Sequence, residues 1–411
     1  MKYNKYSKYK DSGVEWLGDI PEGWGNIRMK RLYQDFSLKG KENEELLSVT
    51  QDKGVIPRTW VENRMVMPSG NLESFKFIEK NDFAISLRSF EGGLEYCHHD
   101  GIISPAYTVL KRKRKDLSPK FYKYLFKSSS FISELQTSVI GIREGKNISY
   151  PELSYSFLPI PQLPEQTAIA KYLDKKTTKI DQAIANKQKL IALLKERKQI
   201  LIQDLVTGKK VWNGGAWEAP VEVKDSGVEW IGEIPEGWEV KALKFIAYLQ
   251  SGETISPDDF SDEGFPVFGG NGFRGFTKKY TNVGTTALIG RQGALCGNVN
   301  YAKGKFYASE HAIVVYPLNG EDVLWLGETI KQANFNRLSQ SAAQPGIAVN
   351  IIKNIQFPYP SIKEQKQISK FIEEQSAKID QAIGLQDEQI KKMQEYKSVL
   401  INSVVTGKVR V

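Results

Sequence analysis

GNGFRG, from Gly270 to Gly275, has the glycine spacing of a dinucleotide-binding loop. Such a loop opens a helix and is answered by an acidic residue about 20 positions on. Here FTKKYTN follows and no acid stands at that distance, so a glycine-rich hairpin is the expectation. VTGK, at Val206 and again at Val405, lacks the rest of a phosphate-cradling motif and reads as a helix cap. No Asn-Pro-Pro or Asp-Pro-Pro motif of an amino-methyltransferase is present. In Cys97–His99, CHH, adjacent strand residues face opposite ways, which argues against a shared metal, and the third histidine, His311, stands alone. Glu236, Glu239 and Lys241 are a loose nuclease-like triplet, a reading that would require metal-dependent cutting by the isolated chain. We therefore expect no catalytic, cofactor-binding or metal site.

Residues that read DNA bases have a different signature. Arginine suits guanine, and asparagine or glutamine suits adenine, while other polar contacts go to phosphate. Candidates at expected loop or strand ends are Arg88, Tyr107 and Arg143 in the first half of the chain. In the second half they are Asn271, Arg274, Arg291, Gln292 and His311. Residues of these types at such positions are more often surface or structural residues. The basic run Lys111–Lys115 is expected to be a solvated loop touching phosphate at most.

The elements that must position these residues come in two copies. FAISLR, ending at Arg88, lies over TALIGR, ending at Arg291, and SPAYTVL from Ser104 lies over EHAIVVY from Glu310. Both pairs read as short strands bounded by turn residues. The stretches beginning at Leu117 and Glu321 read as helical. DSGVEWLGDIPEGW at Asp11 returns as DSGVEWIGEIPEGW at Asp225, with twelve of fourteen letters identical. From Glu165 to Lys209 and from Glu364 to Lys408 the chain aligns with itself without a gap, at 19 identities in 45.

Those last segments carry the clearest periodicity. Ile169, Leu173, Ile180, Ile184, Ile191, Leu194, Leu201 and Leu205 are matched 199 residues later by Ile368, Ile372, Ile379, Ile383, Ile390, Met393, Leu400 and Val404. Steps of three, four and seven mark one stripe on a long helix, with Lys187 and Gln386 at the skipped seam positions. A stripe like this must be buried, and its own copy, packed antiparallel about a pseudo-twofold axis, is the natural partner. The fold class expected is α+β: two mixed α/β domains separated by two long helices forming an antiparallel coiled coil. The boundaries are 1–160, first domain; 161–208, first helix; 209–224, linker; 225–360, second domain; and 361–411, second helix and tail.

Composition sets limits. The 411 residues leave room for two to three domains. The net charge of +9 is modest and uneven, acidic over 211–263 and basic over 264–362. Two distant cysteines suit a reducing cytoplasm and exclude a disulfide framework. No apolar run is long enough to span a membrane, and the basic N-terminal MKYNKYSKYK lacks the apolar stretch of a signal peptide.

PIPQLPEQTAIAKYLDKKTTKIDQAI and its twin PYPSIKEQKQISKFIEEQSAKIDQAI, with the paired VEWLGDIPEGW and VEWIGEIPEGW, resemble the specificity subunit of type I restriction–modification systems. The resemblance covers essentially the whole chain; Lys363 stands where the first copy has Pro164. It implies a non-catalytic DNA-recognition subunit whose two domains each read half of a bipartite target in double-stranded DNA. It also implies two modification subunits carrying S-adenosylmethionine, and restriction subunits supplying ATP- and Mg-dependent translocation and cleavage. A pure protein scaffold, with paired helices that only join other proteins, is the alternative.

Overall fold

The computed structural model describes residues 4–61, 72–140, 147–293, 295–338 and 346–411. The chain divides into two compact units, and the division falls inside both long helices. Unit 1 holds Met1–Lys187 and Asp387–Val411; unit 2 holds Gln188–Gln386. The seam residues Lys187 and Gln386 are therefore the last before each break.

Unit 1 is built on a four-stranded antiparallel sheet. Its order is Tyr33–Phe36, Thr108–Arg112, Phe83–Ile85, Glu95–Tyr96, so the last strand in sequence inserts between the first two. Unit 2 repeats this order with Ala247–Ser251, Ala312–Pro317, Thr286–Gly290 and Val299–Ala302. The stretches aligned by sequence thus fall on the same strands of the two sheets. A further pair closes each unit: Gly25–Arg28 with Phe157–Ile160, and Glu239–Ala242 with Gln356–Tyr359. The stretch at Leu117 forms two helices, Pro119–Leu125 and Ser129–Leu135, and the stretch at Glu321 forms Val323–Gln332. Unit 2 adds a mixed five-stranded sheet, which includes the hairpin of Phe265–Gly269 and Gly272–Thr277.

The two periodic segments are helices Leu163–Val206 and Ile362–Val405, 44 residues each. At 1.5 Å per residue, each is about 66 Å long. Within unit 1 they run antiparallel: Lys397 is 2.6 Å from Asp181, and Lys187 donates to Gln389. Within unit 2 Lys198 lies 2.7 Å from Asp380. Of the sixteen stripe residues none is exposed; Ile169, Leu173, Ile191, Leu205, Ile368, Ile372, Ile390, Leu400 and Val404 are buried and the rest half-buried.

The duplicated phrase has a packing role. In unit 1, Ile20, Trp24, Ile169 and Leu173 share one core with Leu400, Val404 and Val405. In unit 2, Ile234, Trp238, Ile368 and Ile372 share one with Leu205 and Val206. Each IPEGW therefore seats the end of one long helix and the start of the other. The contact requires glycine beyond the helix end. Gly407 has φ +76°, and a Cβ there would lie 2.3 Å from Pro21 Cδ; Gly208 has φ +81°, with 2.4 Å to Pro235 Cδ. A left-handed glycine cap lets a helix stop and turn without a Cβ penalty, and here it also lets proline approach.

The helix starts are anchored alike. Gln166 is fully buried; its carbonyl accepts from Ser118 N–H at 2.8 Å and its amide donates to Pro161 O at 2.8 Å. Gln365 does the same with Asp322 N–H at 3.1 Å and Pro360 O at 3.0 Å. A buried amide must find partners for both its ends, so each glutamine fixes the joint between helix and domain.

Candidate nucleic-acid interface

Unit 2 gathers four of the five polar residues singled out in its sequence. Asn271 sits at the turn of the glycine-rich hairpin, and Phe273 and Arg274 are on its returning strand. Gln292 follows strand Thr286–Gly290 and His311 precedes Ala312–Pro317; these strands pair with Gly290 opposite Ala312, which brings the two side chains together. A cleft of about 550 Å³ is lined by Gly270, Asn271, Phe273, Arg274, Gln292 and His311, among others. The hairpin turn reaches the strand end only because no side chain intervenes: a Cβ on Gly290 would meet Gly270 O at 2.2 Å.

The polar groups of the cleft are partly committed. His311 Nδ1 lies 2.8 Å from Gln292 Oε1, and His311 Nε2 lies 2.9 Å from Glu310 Oε1. The other Glu310 oxygen accepts from Ile255 N–H at 3.3 Å, so this carboxylate is held on both sides. The Arg274 guanidinium lies over the Phe260 ring at 5.8 Å, and Phe273 is 55% exposed. Arg291 instead braces the site: its guanidinium reaches Ser251 Oγ at 3.4 Å, its N–H donates to His311 O and its carbonyl accepts from Ile347. An arginine, amides, an imidazole and an exposed ring in one open cleft form a surface suited to base edges and phosphate.

In unit 1, Arg88 and Tyr107 leave the equivalent ends of the paired strands, Thr108 lying opposite Ile85. Arg88 is exposed, and its carbonyl accepts from Gln51; Tyr107 is half-buried, and its carbonyl accepts from Lys76 Nζ at 2.6 Å. Arg143 lies outside the described residues. Trp60, 58% exposed and edge-on to His99 at 4.9 Å, is an exposed aromatic that the sequence reading did not single out, and Phe273 is another. In sequence Phe273 stands between Gly272 and Arg274, whereas Trp60, between Thr59 and Val61, carries no such signal. Most of the basic run is tied down: Lys111 pairs with Glu79, Arg112 donates to Leu117 O, Lys113 to Lys30 O, and Arg114 pairs with Asp116.

The other motifs fall apart in the structure. Cys97 is buried with Sγ 3.0 Å from His99 O, while His98 packs edge-on to Tyr96 and His99 to Trp60. Glu239 pairs with its neighbour Lys241, whose ammonium lies 3.8 Å over the Tyr359 ring. Among the described residues no group of three His, Cys, Asp or Glu side chains could hold a metal, and no helix is long and apolar enough to cross a membrane.

Comparison with known proteins agrees with this arrangement. Residues 235–391 match the family model described as a type I restriction modification DNA specificity domain. The type I restriction enzyme EcoprrI specificity subunit of Escherichia coli is 38% identical over 138 residues, 32% of this chain and 34% of that one. Over these stretches the chain is similar to the specificity subunits of type I restriction–modification systems. The EcoprrI match spans about a third of that relative's length. The MjaVIII specificity subunit of Methanocaldococcus jannaschii is 24% identical over 364 residues, covering 81% of this chain and 80% of its own. A chain solved in a study of assembly and conformational transition of the type I R-M system superposes with TM-score 0.72 at 14% identity, covering 94% of this chain and 98% of that one. That likeness concerns the fold.

Proposed function

We propose that this chain reads a bipartite sequence in double-stranded DNA, one half-site per unit, and directs methyltransferase and restriction subunits to it without catalysing a reaction. The observation that carries this reading is the cleft of unit 2, where Asn271, Arg274, Gln292 and His311 converge on a frame that unit 1 repeats. The long helices set the unread gap between half-sites. S-adenosylmethionine, ATP and Mg belong to the partner subunits, which work with this chain in the cytoplasm. Partner docking is supported by a groove of about 390 Å³ within unit 2, lined by Leu194, Ile200, Leu201, Phe371 and Ile379, with Leu193 and Ile200 exposed.

The test is modified-base sequencing of DNA from cells expressing the chain with its methyltransferase subunit. Methylated adenines in one two-part motif, lost when the chain is deleted, are the expected result. Normal partner expression without new methylation would reject the reading in favour of a protein scaffold. Arg274→Ala should weaken discrimination in one half-site only, by about 1–3 kcal/mol if it contacts a base.

A further inference from the structure

Resting on that reading, we infer that Phe260 and Gly269 are positioning residues that aim the Arg274 guanidinium of unit 2 at a pair of hydrogen-bond acceptors on DNA, a base edge or a phosphate. The hairpin gives the first reason. Val267 pairs with Gly275 and Phe268 with Phe273, so the register shifts and Arg274 is the extra residue, with no partner opposite it. A bulge of this kind breaks the alternation of a strand and re-aims the side chains beside it. Phe273 and Arg274 are accordingly both exposed, although neighbours in a regular strand face opposite sides.

The bulged arginine is then held from two directions. Its stem lies against Gly269 on one neighbouring strand, where a Cβ would come within 2.4 Å of Arg274 Cδ. Its guanidinium lies 5.8 Å over the ring of Phe260, which belongs to the strand on the other side, Phe260–Ser261. That ring is fixed in turn: it packs on the cluster of Ile255, Val267 and Tyr307, and a Cβ on Gly275 would meet it at 3.1 Å. A guanidinium over an aromatic face is attracted by the ring quadrupole, while its N–H donors, which point outward in its own plane, stay available. Among the described residues no hydrogen bond or ion pair takes those donors up. Arg274 lines the cleft beside Gln292 and His311, so the donors face the surface assigned to DNA. A long side chain fixed before binding loses less freedom on binding, which strengthens the contact and narrows what it accepts.

The experiment uses the full chain in complex with its methyltransferase subunit, as wild type, Arg274→Ala, Gly269→Ala, Phe260→Leu, Phe260→Tyr and the double variant of Arg274→Ala with Phe260→Leu. Methylation motifs are mapped in cells, and binding to the mapped duplex and to its single-base variants is measured at two salt concentrations. Gly269→Ala keeps the guanidinium and displaces only a flexible stem. Phe260→Leu keeps apolar bulk against Val267 and Tyr307 and removes the ring face, which Phe260→Tyr retains. Arg274→Ala should lower affinity about 10-fold or more. Gly269→Ala and Phe260→Leu should each lower it about 2–5-fold, and Phe260→Tyr should match wild type. A base contact shows as relaxed choice at one position of one half-site, a phosphate contact as uniform weakening with a shallower salt dependence. Whichever pattern Arg274→Ala gives, Gly269→Ala and Phe260→Leu should share it.

The double variant separates positioning from packing, since a residue that acts only through Arg274 has no further effect once the arginine is gone. A further loss there would overturn the inference, and so would wild-type binding by Gly269→Ala or Phe260→Leu. An Arg274→Ala complex with wild-type affinity and motif would overturn it at its root. A wild-type complex that directs no motif would instead overturn the proposed function, an outcome separate from these.

Discussion

The two units share a frame and differ in what they mount on it. Each has the same sheet order, the same buried glutamine at a helix start and the same glycine under an IPEGW tryptophan. Beyond the frame, unit 1 carries two short hairpin-like pairs, Leu47–Thr50 with Gly54–Pro57 and Lys76–Ile78 with Gly101–Ile103, around a small cluster containing Leu47, Val55 and Ile103. Unit 2 carries a five-stranded sheet and the open cleft. The parts that touch the long helices are held constant while the outer parts diverge. A duplicated chain that must grip two equivalent helix ends yet face two different surfaces would diverge in this way.

The glycine caps should break the comparison most severely if they are not equivalent. Gly407→Val and Gly208→Val each place a branched side chain at positive φ and drive it into proline. Each should destabilise its own unit by about 2–4 kcal/mol. Hydrogen exchange on the full chain should show loosening in unit 1 for Gly407→Val and in unit 2 for Gly208→Val. Equal protection in both variants would mean the caps are not seated as described.

A subtler difference lies one strand further out. Glu95 of unit 1 and Tyr301 of unit 2 hold the same place in the sheet, opposite Ala84 and Ala287. Both link the sheet to the helical segment that follows. Glu95 pairs with Lys127 at 2.6 Å, while Tyr301 donates to Glu328, which pairs with Lys331. Burial pushes the Glu95 carboxyl up to about 7, against the opposing pull of Lys127. A carboxyl raised in the folded state is harmless below its unfolded range and increasingly costly as pH rises to its folded value. Relative to wild type, Glu95→Gln should therefore gain stability between about pH 4.5 and about pH 7, levelling off above that, by about 1–2 kcal/mol once the lost Lys127 partner is counted. Thermal unfolding across that range checks it; a flat difference would mean the carboxylate is well solvated. Tyr301→Phe should show no such window.

Much of the frame was legible because helix burial imposes a period. Eight apolar positions recur with one offset, and the duplicated phrase marks where helix ends dock. The short strands were legible only by laying one copy on the other, since three-residue strands such as Phe83–Ile85 carry no periodicity of their own. The cleft was half legible. Its polar residues could be named from type and position, but Arg291 was indistinguishable from Gln292 in sequence and turns back to Ser251. What separates a side chain that lines the cleft from one that braces it is its direction after the strand, set by pairing with Ala312 and Ile347 rather than by neighbours in sequence. Phe273 and Trp60 were missed because exposure of an aromatic depends on tertiary shielding.

The smallest expected effect concerns the paired helices themselves. Lys397–Asp181 in unit 1 and Lys198–Asp380 in unit 2 join the same two helices, with over half of each aspartate side chain exposed. Exposed pairs spend side-chain entropy to gain little Coulomb energy in water, so each should couple by about 0.5 kcal/mol and fade at high salt. A double-mutant cycle to alanine on each pair measures this. If the repeat extends to the helices' polar faces, the two coupling energies agree within error. A pair worth several times the other would place one aspartate in a drier setting than its copy, and the symmetry of the frame would stop at the apolar seam.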